Sequence, residues 1–140
     1  MRGVPIGNDV IDLEDVQIVD HHLRPRFLAR VLAEEERDRL ARTPDADKKR
    51  LLWTCFAAKE AAYKAIVKLR GPIVLAHRSL VMAPARTSVR YRDLAVDLEI
   101  EDGQGFVHAI AFVMHERPIA RVERVADDQE LSLVARRTLC

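Results

Sequence analysis

The sequence predicts an α+β fold, in which helices from the first half pack on an antiparallel β-sheet built largely from the second. Three observations carry this expectation. Residues 53–66 form an uninterrupted run rich in Ala and Lys, with no Gly or Pro until Gly71-Pro72 stops it. Residues 94–101 alternate apolar with polar, apart from Ala95. Asp102-Gly103-Gln104-Gly105 then reads as a hairpin loop leading into a more buried strand over residues 106–114. A chain of 140 residues can build one sizeable core but not two, so residues 1–140 are expected as one domain.

The remaining elements follow in order. Residues 4–13 open the fold as a strand, because Val10, Ile11 and Leu13 are β-type residues, and Gly7-Asn8 predicts a tight turn or bulge within it. Asp9 and Asp12 lie near this strand's edge, where turn chemistry beside a Gly is the ordinary use of an acid. Residues 21–42 are helical in period, with Pro25 near the first turn, and the acidic run Glu34-Glu35-Glu36 marks the start of a second short helix. Thr43-Pro44-Asp45-Ala46-Asp47 reads as a turn or short linker, and Lys48-Lys49-Arg50 leads into the central helix. Beyond Gly71-Pro72, residues 73–75 and 79–82 are short β-like runs. Residues 119–125 form another candidate strand, and the tail from Asp127 has helical composition.

Composition narrows the function classes. Hydrophobic residues at 49% and charged residues at 32% describe an ordinary globular protein. A formal net charge of +1 gives no overall field toward nucleic acid or membrane, so any basic surface must be local. No apolar run has transmembrane length and no secretory segment is visible, which makes the cytoplasm the expected compartment. The two cysteines lack metal-ligand spacing; Cys55 reads as packing and Cys140 as a terminal thiol. His21 and His22 are adjacent, point in different directions on a helix and have no third ligand nearby, so they read as surface.

Charge on the central helix is less ordinary. At a hundred degrees per residue, Leu52, Cys55, Phe56, Ala62, Tyr63, Ile66 and Leu69 share one broad apolar face, and Lys59 falls in its middle. Such a charge must be paired or must snorkel out. Glu60 and Lys64 lie together along the edge of that face; as a solvated pair they would add only about 0.2–0.5 kcal/mol. Arg26, Phe27 and Arg30 present an aromatic flanked by arginines, which suits docking of an acidic partner helix.

Three stretches, taken together, resemble the 4′-phosphopantetheinyl transferase superfamily. Gly7-Asn8-Asp9-Val10-Ile11-Asp12-Leu13 is similar to its G-x-D strand motif. Arg26-Phe27-…-Arg30-Val31-Leu32-…-Glu35 looks like the R-F-x-x-R-[IV]-[LF]-x-x-x-E segment, and Lys59-Glu60-Ala61-…-Lys64 like the K-E-A-x-x-K helix motif. The order and separations also agree, and the chain's size resembles the short holo-acyl-carrier-protein-synthase type.

The resemblance implies transfer of the 4′-phosphopantetheine group from coenzyme A to a serine of an apo acyl or peptidyl carrier protein, with release of 3′,5′-ADP. It implies Mg²⁺ held by Asp9 and Glu60, since hard cations of this kind use one or two carboxylates plus waters and phosphate oxygens. Glu60 and Lys64 are the implied catalytic residues, Lys64 stabilising charge on the phosphate under attack. Lys59 and Lys64 are implied to bind coenzyme A, and Arg26, Phe27 and Arg30 to bind the carrier. The short type carries S-x-S-H before a final strand; here His77-Arg78-Ser79 has the wrong order, and His108 has no serines before it but is the candidate substitute in coenzyme A binding. Ile11 stands where a second strand acid often occurs, which leaves water on the cation. A homo-oligomer, with a trimer favoured, is implied because the short type builds its coenzyme A site between protomers. The alternative is a non-catalytic relative that binds a carrier protein or coenzyme A without transfer.

Overall fold

A computed structural model describes residues 3–113. Strand β1 (Ile6–Asp12) is followed by helices α1 (Pro25–Val31), α2 (Glu34–Ala41) and α3 (Asp45–Arg70), and then by strands β2 (Leu80–Met82), β3 (Ser88–Tyr91), β4 (Leu94–Gly103) and β5 (Phe106–Phe112). The five strands form one sheet in the order β1-β5-β4-β3-β2, with every neighbouring pair antiparallel. Helix α3 lies across one face, chiefly against β1 and β5. The expected α+β layering is therefore the observed one.

Helix α3 is longer than the sequence alone suggests. Its 26 residues begin at Asp45, so the segment expected as a linker shrinks to Thr43-Pro44, while Asp45 and Asp47 form the acidic first turn favoured by the helix dipole. Gly71 ends it in the left-handed region (φ 84°), its N–H closing on the Val67 carbonyl at 2.8 Å. Ala57, Ala58, Ala61, Ala62 and Ala65 are fully buried. Their small side chains let the helix approach the sheet closely, so the alanine content serves packing as well as propensity.

The closest approach explains Gly7. A Cβ built there would lie 2.2 Å from the Ala61 carbonyl oxygen and 2.8 Å from the Ala65 nitrogen. The expected turn or bulge at Gly7-Asn8 does not occur; β1 runs unbroken, and the glycine is required by helix contact rather than by a turn.

Other boundaries also move. Within residues 21–42 a 3₁₀ turn at His21–Leu23 precedes α1, whose first residue is Pro25, and the second short helix α2 begins at Glu34 as expected. Residues 73–75 join no ladder among the described residues, and Val74 is 87% exposed. A 3₁₀ turn at His77–Ser79 delivers the chain into β2. Strand β3 has no counterpart in the sequence reading, because Ser88-Val89-Arg90-Tyr91 is too short for its alternation to stand out. The candidate strand at 119–125, the helical tail and Cys140 lie outside the described residues.

The main core sits between α3 and the sheet, where Val96, Val107, Ala109 and Ala111 are completely buried. On the opposite face Ile6, Ile110 and Phe112 form a second, smaller cluster. Cys55 is buried in the main core, as expected of a packing residue, and burial pushes its thiol up to about 12, with the nearby Glu36 carboxylate adding to the effect. No helix of the described residues is long and apolar enough to cross a membrane.

Candidate active site where the first strand meets the long helix

Asp9 and Glu60 arrive from elements far apart in sequence. Asp9 follows Gly7 by two residues on the sheet face that α3 covers, opposite the buried Ala109 in the β1–β5 ladder. Glu60 lies on α3 immediately before Ala61, whose carbonyl meets Gly7. The same helix–strand contact that excludes a Cβ thus brings the two carboxylates into one field.

Their electrostatics show it. Burial raises the Asp9 carboxyl above its usual range; Lys64 pulls the other way, and Glu60 adds to the rise. The Lys64 ammonium lies 3.5 Å from Asp9 Oδ1 and donates to the Asn8 carbonyl at 2.8 Å. Asp9 Oδ2 is buried and accepts no hydrogen bond among the described residues. A buried carboxylate oxygen without a donor is costly, and a cation is the partner that would satisfy it.

The donor set suits a hard divalent cation that keeps water. Asp9 and Glu60 lie within electrostatic reach of each other, Ile11 on the Asp9 face supplies no oxygen, and among the described residues no group of three or more His, Cys, Asp or Glu is placed to hold a metal ion. Carboxylates are the donor type that a hard divalent cation such as Mg²⁺ takes, with water and phosphate oxygens in its remaining positions.

Lys59 is placed differently from the expectation that it touches coenzyme A. It neither snorkels nor reaches solvent; it is completely buried. Its ammonium donates to the Val31 carbonyl at 2.6 Å, to the His77 carbonyl at 3.0 Å and to Glu36 Oε1. An ammonium has three protons, so these oxygens use all of its donors and none is offered to a ligand. Glu36, equally buried, also accepts the Ala33 N–H and the Met82 N–H at 2.9 Å each, tying together α2, α3 and β2. The acid that closes the arginine-phenylalanine segment is Glu36, four residues beyond Leu32, and not Glu35, which is exposed and pairs with Arg90 at 3.1 Å.

Arg26 and Arg30 are exposed on α1, as docking requires. Phe27 is only half-buried, and its ring packs inward against Trp53 at 5.6 Å with the Arg30 guanidinium 5.7 Å from its centroid. It supports Arg30 from beneath more than it offers a free aromatic face. His108 lies on the other sheet face and exerts only the smallest of the charge influences on Asp9, a lowering one. Its register partners Val10 and Glu101 lie on the opposite sheet face, where its Nδ1 is 3.5 Å from Glu101 Oε1.

One residue that the sequence set aside, because His77-Arg78-Ser79 has the wrong order for S-x-S-H, contacts Glu60. His77 Nε2 is 3.1 Å from Glu60 Oε1, and its ring stacks on Phe56 at 5.0 Å and 16°. Beside it opens a cleft of about 730 Å³ whose lining includes Arg30, Arg37 and Arg78. The only signal in the sequence was a histidine just ahead of a strand, in an order unlike S-x-S-H.

Comparison with known proteins bears on the family and the fold. The family model described as the 4′-phosphopantetheinyl transferase superfamily matches residues 5–111. A holo-[acyl-carrier-protein] synthase of Cupriavidus metallidurans is 32% identical over 127 residues, covering 80% of this chain and 87% of that protein. Among solved structures, the holo-[acyl-carrier-protein] synthase of Neisseria meningitidis superposes with a TM-score of 0.63 at 21% identity, covering 82% of this chain and all of the other. The Helicobacter pylori enzyme, solved in complex with coenzyme A, gives a TM-score of 0.56 at 20% identity over 78% of this chain and 99% of its own. These two likenesses show the shared fold; the family match and the Cupriavidus relative show more, and on them this chain belongs to the 4′-phosphopantetheinyl transferase superfamily.

Proposed function

We propose that this protein transfers 4′-phosphopantetheine from coenzyme A to a serine hydroxyl of an acyl or peptidyl carrier protein, releasing 3′,5′-ADP, in a Mg²⁺-dependent reaction. The observation that carries the reading is the buried, unpartnered Asp9 Oδ2 beside Glu60 and Lys64, at a strand–helix contact. Membership in the superfamily and the relative named holo-[acyl-carrier-protein] synthase support the reaction class.

In this reaction the serine oxygen bonds to the phosphorus bearing pantetheine, and the bond from that phosphorus to the bridging oxygen of the pyrophosphate breaks. Asp9 and Glu60 would hold the Mg²⁺, which when bound would supply charge neutralisation for the pyrophosphate. Lys64 is half-exposed and has one ammonium proton left after the Asn8 carbonyl and Asp9, which it can give to a phosphate oxygen as negative charge builds. Glu60 is the acceptor for the serine proton through an intervening water. Arg26 and Arg30 steer the acidic carrier toward this edge, Phe27 holding Arg30 in place. Lys59 supports the site from within and does not bind substrate. His108 remains the candidate substitute for the S-x-S-H histidine in coenzyme A binding, and a homo-oligomer, with a trimer favoured, is proposed because the short type builds its coenzyme A site between protomers.

The test is the intact mass of a panel of apo carrier proteins after incubation with this protein, coenzyme A and Mg²⁺. A gain of one phosphopantetheine, lost with chelator and with Glu60→Ala, is the expected result. Carrier binding without any mass gain would instead favour a relative that docks without transfer.

A further inference from the structure

We propose that His77 is a positioning residue for Glu60, presenting one defined carboxylate oxygen to the cation. The inference rests on the reading above and adds a residue that the family motifs in this sequence do not contain.

A carboxylate only accepts hydrogen bonds, so His77 Nε2 must carry the proton and donate to Glu60 Oε1 across 3.1 Å. A glutamate at a helix edge is free to turn about its last torsion, whose preference is broad and roughly two-fold. One donor fixed on Oε1 removes that freedom and leaves Oε2 for a ligand. Ligating carboxylates are generally held by such partners, whose loss costs about 10–100-fold in metal affinity.

The donor is itself held unusually well for a residue in a short turn. Its ring lies flat on Phe56 at 5.0 Å, and its side chain is only 21% exposed. Its carbonyl accepts the Lys59 ammonium at 3.0 Å and caps the turn through the Leu80 N–H. Lys59 is in turn fixed by Glu36, which binds the Met82 N–H of β2. The buried Glu36–Lys59 pair therefore anchors the backbone of His77, while His77's ring reaches back to the next residue of the same helix, Glu60. A histidine serving only as solvated surface would need neither the stack nor the anchored carbonyl.

The test is Mn²⁺ affinity by electron paramagnetic resonance, together with the Mg²⁺ dependence of transfer, for His77→Phe, His77→Ala and His77→Gln. His77→Phe keeps the stack on Phe56 and removes the donor; His77→Gln restores an amide donor. The expected result is a Kd for Mn²⁺ raised about 10–100-fold in the Phe and Ala variants, with the Mg²⁺ requirement rising more than kcat at saturating Mg²⁺ falls, and substantial recovery in the Gln variant. Parent-like Mn²⁺ affinity in either the Phe or the Ala variant, while Asp9→Asn and Glu60→Gln abolish binding, would overturn the role of His77 alone. Mn²⁺ binding that survives Asp9→Asn and Glu60→Gln would instead remove the cation site on which it rests. If the Phe and Ala variants do not fold, the Gln variant decides: near-parent affinity supports the donor role, and a loss as large as that of Glu60→Gln refutes it.

Discussion

Replacing Glu36 by Gln tests the buried pair directly. The substitution keeps the side chain's shape and one acceptor oxygen but removes the charge opposite Lys59. Both side chains are completely buried, so water cannot compensate. The three N–H donors that now meet on two carboxylate oxygens would face a single oxygen and an amide that itself needs an acceptor. Breaking one half of such a pair costs about 3–5 kcal/mol, a large share of a domain's stability. The pH dependence has a definite sign. Burial already lowers the Lys59 pKa, and Glu36 is the main influence opposing it. Without Glu36 the folded chain releases that proton well below the unfolded lysine value of about 10.4. Over that window the unfolded chain binds more protons, so stability of the variant rises with pH and its deficit shrinks between pH 7 and about pH 10. Urea denaturation followed by the fluorescence of Trp53, the single tryptophan, reads both quantities. A deficit under about 1 kcal/mol at pH 7, or one that grows with pH, would refute the reasoning.

Three further outcomes are expected. Gly7→Ala should cost about 1–3 kcal/mol or more in urea denaturation and weaken Mn²⁺ binding, because its Cβ meets backbone atoms that cannot turn aside and would push Asp9 away from Glu60. Asp9→Asn should abolish transfer yet leave the melting temperature in chelator equal to or above the parent's. Burial raises the folded Asp9 pKa, so the ionised carboxylate weighs against folding; that burden is absent below the unfolded pKa of about 3.9 and reaches its full size above the folded one. Melting curves at pH 4 and pH 7 should show the gap between variant and parent widening at the higher pH. Arg26→Glu combined with Arg30→Glu should raise the KM for an acidic carrier about tenfold or more with little change in kcat, and should flatten its dependence on salt, as steady-state assays across ionic strength would show.

Much of the layering was legible in the residues, because α3 and the β4–β5 hairpin declare their periods over long stretches. The short ladder of β3 and the unbroken course of β1 were not. Both depend on tertiary partners: Val89 pairs with Val96 and Leu80 with Tyr91, while Gly7 answers to a helix more than fifty residues away. Lys59 was conspicuous as a charge on an apolar stripe, but periodicity cannot say that its partner is Glu36 rather than a ligand. His77 was the least visible of all. In sequence it stands only in His77-Arg78-Ser79, an order that does not fit S-x-S-H; the contacts that single it out come from Phe56 and Glu60 on a different element. Side chains that act through a neighbour leave a weak trace in sequence, whereas the helix and strand that carry them leave a strong one.

The burial of Cys55 bears on how such a protein tolerates its own substrate. Coenzyme A ends in a thiol, and its oxidised form is a disulfide that exchanges with any accessible thiolate. With its thiol pushed up to about 12 and its side chain inside the core, Cys55 presents at neutral pH roughly a thousandth or less of the thiolate that a free cysteine would. Mixed-disulfide formation at this position would require the core to open first. The described part of the chain is therefore chemically quiet toward the one reactive group that its proposed substrate always carries.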